Sequence, residues 1–203
     1  MFHILQSAGW PIWLLLIASI IGLALIIERF HALRRSRILP DGLLERTIRR
    51  FQEGKLDEQQ IDLLAGNSPL GMVLAAGLRH ADHPKEDIKE SMEEAGHTAS
   101  LQMERFLTTI GTIAALAPLL GLFGTVVGMI EIFGAQHASG MNPTQLAHGI
   151  SVALYNTGFG LLIAMPALVC YRHFKALTNS FLIQMEAQAS KLVDAITTVR
   201  RPE

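Results

Sequence analysis

The chain has 203 residues, of which 50% are hydrophobic and only 17% are charged, and its formal net charge is −1. A disordered chain would carry fewer apolar residues and more charge, and a protein that binds nucleic acid through overall basic charge would carry an excess of Lys and Arg, so both classes are excluded. The single cysteine, Cys170, excludes an intrachain disulfide framework and a cysteine-rich zinc site.

Three stretches without Asp, Glu, Lys or Arg predict three membrane spans, because a span needs about 20 predominantly apolar residues. They are residues 10–27, 106–130 and 132–171. The third stretch is too long for one span, and its Gly, Asn and Pro residues favour a polar turn. The predicted organisation is an N-terminal anchor span over 1–30, a helical segment over 31–105, a second span over 106–133, a turn over 134–147, a third span over 148–172 and a helical tail over 173–203.

Two other interpretations fit the apolar runs less well. Helices buried in a soluble core would need polar sequence to cover them, and three runs of this length leave too little of it. A cleaved signal peptide would begin with basic residues and have a shorter apolar stretch, whereas residues 1–9 contain no Lys or Arg. We therefore expect an all-α membrane protein whose first span is an uncleaved anchor.

Basic residues flank the three spans on one side only. They follow the first span, precede the second and follow the third: Arg29, Arg34, Arg35, Arg37, Arg105, Arg172 and Lys175. Cytoplasmic flanks of membrane spans carry such an excess of Lys and Arg. The N-terminus and the 134–147 turn are therefore predicted to lie outside, and the 31–105 segment and the tail in the cytoplasm.

The segments outside the spans have helical patterns and no strand signal. Ser68 followed by Pro69 is a typical helix start, and Pro84 marks another. Because no strong breaker follows the second start, that helix is predicted to run without interruption over about 84–132. In the tail, apolar residues at near-heptad spacing over 174–199 predict a stripe that packs either on this chain's own helices or on a neighbouring copy.

The second and third spans each carry a face of small residues at spacings of three and four. These faces comprise Gly111, Ala114, Pro118, Gly121, Thr125 and Gly128, with Gly124 beside them, and Gly149, Ala153, Thr157, Gly160, Ala164 and Ala167, with Asn156 beside Thr157. Small residues let helices approach closely in lipid. The predicted helix contacts are Gly121, Gly124, Gly128, Ala153, Gly160 and Ala164, and the predicted helix breakers within the spans are Pro118 and Pro166.

Helix packing alone accounts for the glycines and alanines, but the polar residues among them need a further reason. Asn156 in hydrocarbon needs hydrogen-bond partners or a wet cavity. A threonine can return its hydroxyl to its own helix, so Thr125 or Thr157 alone would mean little. One threonine at mid-depth in each of two small-faced spans predicts a shared interior surface, and we identify Thr125, Thr157 and Asn156 as candidate residues of a proton pathway.

Neither of these spans contains an ionisable residue at mid-depth. Glu28, Glu131 and His148 lie near the ends of the charge-free stretches, which is typical of interface residues. A proton or ion path usually carries an ionisable group inside the membrane. If this protein moves protons, the titrating group must come from another chain, and the threonines can only hold water or hydrogen-bond that group.

Three segments resemble the MotA/TolQ/ExbB proton-channel family. The run APLLGLFGTVVGMIEIF (117–133) is similar to its second-span signature, LAHGISVALYNTGFGLLIAMPALVCYRHF (146–174) to its third-span signature, and PLGMVLAAGL (69–78) to a cytoplasmic segment. The resemblance covers about 65–200. With three spans in 203 residues, the chain is closer to ExbB and TolQ than to the longer, four-span MotA.

The resemblance implies a homo-pentamer in the bacterial inner membrane around a dimer of a single-span ExbD- or TolR-like partner. The transmembrane Asp of that partner would accept the proton, and a TonB-like energy transducer is a further implied partner. The pore-lining threonines of the family match Thr125 and Thr157. Val152 stands where many relatives carry Glu, which argues against a relay through a carboxylate of this chain.

Together these observations predict an ExbB-like subunit of a motor and proton channel driven by the proton-motive force. A TolQ-like subunit for envelope maintenance and a non-conducting membrane scaffold are the alternatives. An enzyme is not predicted, because the sequence has no nucleophile–base constellation and no glycine-rich phosphate loop. His80 and His83 are interpreted as solvated residues rather than a metal site, and neither a cofactor nor nucleic acid is expected, whereas membrane lipid is.

Overall fold

The computed structural model describes residues 10–139 and 143–199, and these residues form helices joined by short connections, with no strand among them. In chain order the helices are α1 (Pro11–Ala32), α2 (Arg35–Ile38), α3 (Leu43–Gln52), α4 (Glu58–Asn67), α5 (Pro69–Arg79), α6 (Lys85–Glu104), α7 (Leu107–Ser139) and α8 (Pro143–Val199). The prediction of an all-α fold is confirmed.

The described residues belong to two compact units. Unit 1 takes its residues from Met1–Arg29 and Phe106–His173, and unit 2 takes its residues from Phe30–Arg105 and Phe174–Glu203. Unit 1 therefore contains most of α1, all of α7 and the first part of α8. Unit 2 contains the five shorter helices and the last part of α8.

Unit 1 has an apolar exterior. Three helical stretches of the described residues are long and apolar enough to cross a membrane, as predicted. Large side chains such as Trp13, Ile20, Leu162 and Val169 are each 59% exposed or more. Soluble proteins rarely expose contiguous apolar surface on this scale, whereas helices in lipid do.

Helix α1 packs antiparallel to α7. Near the start of α1 the rings of Trp10 and Phe123 meet edge to face with their centroids 5.8 Å apart. At its other end, the guanidinium carbon of the buried Arg29 lies 5.5 Å from the centroid of the Phe106 ring. Arg29 also forms an ion pair with the neighbouring Glu28, at 2.5 Å. A cation–π contact and an adjacent carboxylate together offset the burial of this charge.

The helix predicted over about 84–132 is interrupted, which corrects the expectation of one uninterrupted helix. α6 ends at Glu104 and α7 begins at Leu107. Phe106 between them has φ of 64°, and a left-handed residue cannot continue a right-handed helix. No Gly or Pro marks the break, so the local sequence does not reveal it.

The two membrane-spanning helices that follow are longer than predicted. The structure has residues 134–139 and 143–147 in helices, where the sequence favoured a turn, and residues 140–142 lie outside the described residues. The prediction that Pro118 and Pro166 break the spans is wrong, because both helices continue through them. A proline removes one backbone hydrogen bond, and neighbouring helices or ordered waters can satisfy the freed carbonyl in a membrane.

In unit 2 the helix starts follow local capping chemistry. The Ser68 hydroxyl oxygen accepts a hydrogen bond of 3.0 Å from the Gly71 N–H at the start of α5, as its position before Pro69 predicts. At the start of α4, an Asp57 carboxylate oxygen accepts one of 2.8 Å from the Gln60 N–H. Both side chains satisfy backbone groups that a helix end would otherwise leave unpaired.

The apolar stripe of the tail packs on helices of this chain. The rings of Phe30 and Phe174 meet edge to face with their centroids 4.8 Å apart. The Lys85 ammonium at the start of α6 lies 3.0 Å from an Asp194 carboxylate oxygen near the end of α8. The buried members of the stripe are Phe174, Phe181, Met185 and Leu192. Of the two packings that the sequence left open, the structure therefore shows the one within the chain.

Candidate functional site

Helices α7 and α8 meet through backbone contacts at glycines. A Cβ atom at Gly160 would lie 2.5 Å from the Ala117 carbonyl oxygen, and one at Gly121 would lie 2.7 Å from the Asn156 carbonyl oxygen. Neither position has room for a side chain. We call the facing residues the contact strip: Ala117, Gly121, Gly124 and Gly128 on α7, and Gly149, Ala153, Asn156 and Gly160 on α8.

The close approach of these two helices extends over a length that matches a bilayer. At one end Gly111 faces the ring of Tyr171, and at the other Gly149 faces the side chain of Ile132. Ile132 lies 21 positions after Gly111 on α7, which corresponds to roughly 32 Å at 1.5 Å per residue, against about 30 Å for a hydrocarbon core. The contacts run in opposite chain directions along the two helices, so the pair is antiparallel.

The contact strip contains five of the six residues that the sequence singled out for helix packing. They are Gly121, Gly124, Gly128, Ala153 and Gly160. The sixth, Ala164, is buried in a cluster with Leu15 of α1 and Ala117 of α7. Ala117 itself was not singled out, although it follows the same spacing of three and four, so the periodicity of small residues contained enough information to find it.

Asn156 lies inside the helix pair rather than on its surface. Asn156 is buried, with only 1% of its surface exposed. Its Cβ and Cγ atoms lie 2.8 Å from the position of a Cβ at Gly124, so the missing side chain of Gly124 provides the space that Asn156 occupies. The structure thus separates Asn156 from the two threonines with which the sequence grouped it.

Thr125 and Thr157 lie at the edge of the contact strip. Both are half-buried. The Thr125 hydroxyl donates a hydrogen bond of 2.6 Å to the Leu122 carbonyl oxygen. The Thr157 Cα lies 3.0 Å from the position of a Cβ at Gly121, one helical turn from Thr125. The two threonines are therefore offset by about 6 Å along the helix axis.

Both threonines lie on the same side of the helix pair. At 100° per residue, Thr125 is rotated by about 70° from the centre of the contact strip on α7, and Thr157 by about 70° in the same sense on α8. Because the helices are antiparallel, equal rotations in the same sense bring both residues to one side. We call this surface, centred on Thr125 and Thr157, the threonine side.

Helix α1 covers the opposite side of the pair. It contacts α7 at Ile113, where a Cβ at Gly22 would meet the isoleucine side chain at 3.4 Å, and at Phe123. On the helical wheel these α7 residues lie on the other side of the contact strip from Thr125. Within the described residues, the threonine side is therefore not covered by α1.

The helix pair has no charge of its own at mid-depth. Residues 107–130 and 132–171 contain no Asp, Glu, Lys or Arg. Glu131 is exposed and lies in the last third of α7. The side chains of His148 and Val152 lie outside the described residues. The threonine side thus offers hydroxyls in an apolar setting, and these can donate or accept hydrogen bonds but cannot hold a proton as a charge.

Within the described residues, no group of three His, Cys, Asp or Glu side chains lies close enough together to hold a metal ion. His80 and His83 do lie near each other, with their ring centroids 5.2 Å apart. The Nδ1 atom of His80 lies 3.1 Å from the Ala76 carbonyl oxygen.

Comparison with known proteins gives the same family as the motifs. The model of the MotA/TolQ/ExbB proton channel family matches residues 65–187, which is more than half of the chain. This range includes α5, α6, α7 and the contact strip of α8.

Individual relatives cover most of the chain. It is 31% identical over 190 residues to the "Putative biopolymer transport protein ExbB-like 1" of Synechocystis sp., covering 92% of this chain and 75% of that protein. It is 33% identical to the "Biopolymer transport protein exbB1" of Vibrio cholerae, covering 80% and 74%. It is 30% identical to the "Tol-Pal system protein TolQ" of Haemophilus influenzae, covering 89% and 83%. With this match and three apolar helices able to cross a bilayer, the chain is a membrane protein that belongs to the MotA/TolQ/ExbB proton channel family.

Proposed function

We propose that the chain is an ExbB-like subunit of an inner-membrane motor and proton channel that works with a single-span ExbD- or TolR-like partner. The observation that carries the proposal is the threonine side. There two hydroxyls share one surface that α1 does not cover within the described residues, on a helix pair that has no charge at mid-depth. The relatives named as biopolymer transport proteins support a role in energising transport.

In this proposal the partner supplies the acid. A carboxylate in hydrocarbon is costly, so it is stable there only when it is paired, hydrated or protonated. An Asp of the partner that faces the threonine side would take up a proton from the outside and release it toward the cytoplasm. Each charge moved across the membrane potential yields about 2.3 kcal/mol per 100 mV, and this is the energy available for movement of the partner.

The threonines would stabilise the neutral acid and its water. The Thr125 hydroxyl uses its O–H group to donate a hydrogen bond to the Leu122 carbonyl oxygen. Its oxygen lone pairs therefore remain as acceptors for the O–H of a protonated carboxyl group or of water. A group that accepts from the protonated acid favours that form, so the hydroxyls assist proton loading although they carry no charge.

The uneven cover of the helix pair fits a ring of subunits. We propose a homo-pentamer around a partner dimer, with each copy turning its threonine side inward and α1 outward to lipid. The N-terminus would lie in the periplasm, and residues 31–105 and the tail in the cytoplasm. A TonB-like energy transducer would pass the work on to a process at the outer membrane.

Proton flux in proteoliposomes tests this proposal. The chain is reconstituted with its ExbD-like partner, and flux is measured with a pH-sensitive dye under an imposed gradient. We expect flux only when the partner is present, and we expect Thr125→Ala or Thr157→Val to abolish it at unchanged assembly. Flux equal to wild type in both variants would overturn the role of the threonine side, and absence of flux from the wild-type complex would favour a non-conducting scaffold.

Thr112→Val is the matched control for these variants. The Thr112 hydroxyl donates a similar hydrogen bond, of 2.9 Å, to the Thr108 carbonyl oxygen on the same helix. It is rotated by about 140° from Thr125 around α7, away from the threonine side. We therefore expect Thr112→Val to conduct like the wild type.

A TolQ-like role is the second candidate, because the identity to a TolQ protein is nearly that to the ExbB proteins. Both roles use the same proton chemistry and differ in the process they drive. Deletion of the gene separates them: loss of a nutrient uptake that needs the proton-motive force supports the ExbB-like role. Leakage of periplasmic contents with normal uptake supports envelope maintenance.

A further inference from the structure

An arginine-rich segment of unit 2 begins two residues after the end of α1. Its arginines are exposed, and the apolar residues on either side of them are buried. The buried residues are Leu33, Ile38 and Leu39, with 3%, 5% and 2% exposure, and the exposed ones are Arg34, Arg35 and Arg37. The backbone is thus fixed on the core of unit 2 while the three guanidinium groups remain accessible.

The positive charge of this region is concentrated and largely unneutralised. Residues 30–55 contain seven Lys and Arg against three Asp and Glu, whereas residues 56–104 contain three against ten. The ion pairs among the described residues of unit 2 involve Lys55, Arg79 and Lys85 as the basic partners. None of them uses an arginine between 34 and 50.

Helix α3 adds three more exposed arginines and a groove. Two of them, Arg46 and Arg50, line a groove of about 670 Å³ between α3 and α4, together with Thr47, Asn67 and Asp62. The Asp62 carboxylate forms an ion pair with Arg79. The Arg46 guanidinium donates hydrogen bonds of 3.0 and 3.1 Å to the carbonyl oxygens of Gly42 and Asp41, which fix its side chain at the edge of the groove. The groove is also lined by leucines: Leu43, Leu56, Leu63 and Leu64. Donors and apolar side chains together suit an anionic ligand that has an apolar part.

We propose that residues 34–50 bind the phosphodiester headgroups of anionic phospholipids in the leaflet where α1 ends. Guanidinium groups donate paired hydrogen bonds to phosphate oxygens, which ammonium groups cannot do in the same geometry. Clusters of basic residues directly beside a membrane helix attract anionic lipid, each residue contributing about a fivefold gain. If these arginines served only to set the orientation of the chain in the membrane, their charge would be enough, and no preference for one lipid headgroup would be expected.

Lipid binding to the purified full-length chain tests the proposal. The protein in neutral detergent is titrated with dioleoyl phosphatidylglycerol or dioleoyl phosphatidylcholine, and bound lipid is counted by native mass spectrometry. We expect the wild type to prefer phosphatidylglycerol at least tenfold and to lose this preference at high salt. The triple variant Arg34→Gln, Arg35→Gln, Arg37→Gln is expected to bind phosphatidylglycerol at least tenfold more weakly.

Two further triple variants keep the test decisive. Arg46→Gln, Arg49→Gln, Arg50→Gln removes the arginines of α3, and it carries the test if the first variant fails to insert. Lys85→Gln, Lys89→Gln, Lys191→Gln removes three charges of unit 2 outside the segment, and we expect it to bind like the wild type. Unchanged preference in a folded arginine variant, equal loss in the lysine variant, or arginine-dependent binding of inorganic phosphate without any lipid preference would each overturn the proposal.

Discussion

At the scale of single residues, the packing of α7 against α8 in unit 1 depends on glycines at positions where no side chain would fit. A Cβ atom placed at Gly160 or Gly121 would lie 2.5 or 2.7 Å from a backbone carbonyl oxygen of the other helix, which is closer than Cβ atoms come to other atoms in proteins. Gly158, only two residues from Gly160, has no atom within 4 Å of its Cβ position. The same residue type therefore has a packing role at one position and none at its neighbour.

This difference predicts opposite effects of the same substitution. We expect Gly160→Ala to lower the free energy of unfolding by about 1–3 kcal/mol, because the new methyl group must push α7 and α8 apart. Gly158→Ala should stabilise the helix by up to about 1 kcal/mol, since alanine has the higher helix propensity. Thermal unfolding in detergent, followed by circular dichroism, measures both. Equal midpoints for the two variants would contradict the close contact at Gly160.

At the scale of elements, the features that depend on neighbouring residues alone can be predicted from the sequence. The start of α5 follows from Ser68 and Pro69, whose capping needs only neighbouring residues. The small-residue faces of α7 and α8 follow from periodicity. The break at Phe106 does not follow from the local sequence, because Arg29, which lies against the Phe106 ring, is 77 positions earlier in the chain. Nor does the side of the pair that α1 covers, because this depends on packing between distant segments.

The break at Phe106 predicts that glycine is more stable than alanine at this position, which is the reverse of the usual order of helix propensity. Phe106 has φ of 64°, where glycine is unstrained and alanine loses roughly 1–2 kcal/mol. Both Phe106→Gly and Phe106→Ala remove the ring beside Arg29, so the comparison isolates the backbone. We expect Phe106→Gly to unfold at the higher temperature. A more stable Phe106→Ala would show that the left-handed turn is not kept in the variants.

At the scale of the whole molecule, the two units place apolar residues in opposite ways. In unit 1 large apolar side chains such as Trp13 and Leu162 lie outside, whereas in unit 2 Phe174 and Leu192 lie inside. The same chain thus contains one part suited to lipid and one part suited to water. Overall composition cannot separate the two parts, but the distribution of charge along the chain does.

The orientation of this arrangement is tested with single cysteines. Cys170 is the only cysteine, so Cys170→Ser gives an unlabelled background. Thr144 and Gln59 are both exposed, and each is replaced by cysteine in that background. In spheroplasts we expect a membrane-impermeant maleimide to label the variant Thr144→Cys, and to label Gln59→Cys only after the membrane is permeabilised, because basic flanks stay in the cytoplasm. The reverse pattern would contradict the predicted orientation.

The glycine contacts between α7 and α8 also constrain how such a protein can move. The backbones of α7 and α8 approach so closely at Gly121 and Gly160 that rotation of either helix about its axis would bring a larger side chain into the contact. We therefore expect the two helices to move together as one rigid unit. Relative motion in a working assembly is then expected at the surface that carries Thr125 and Thr157, against a helix of another chain, and not between α7 and α8.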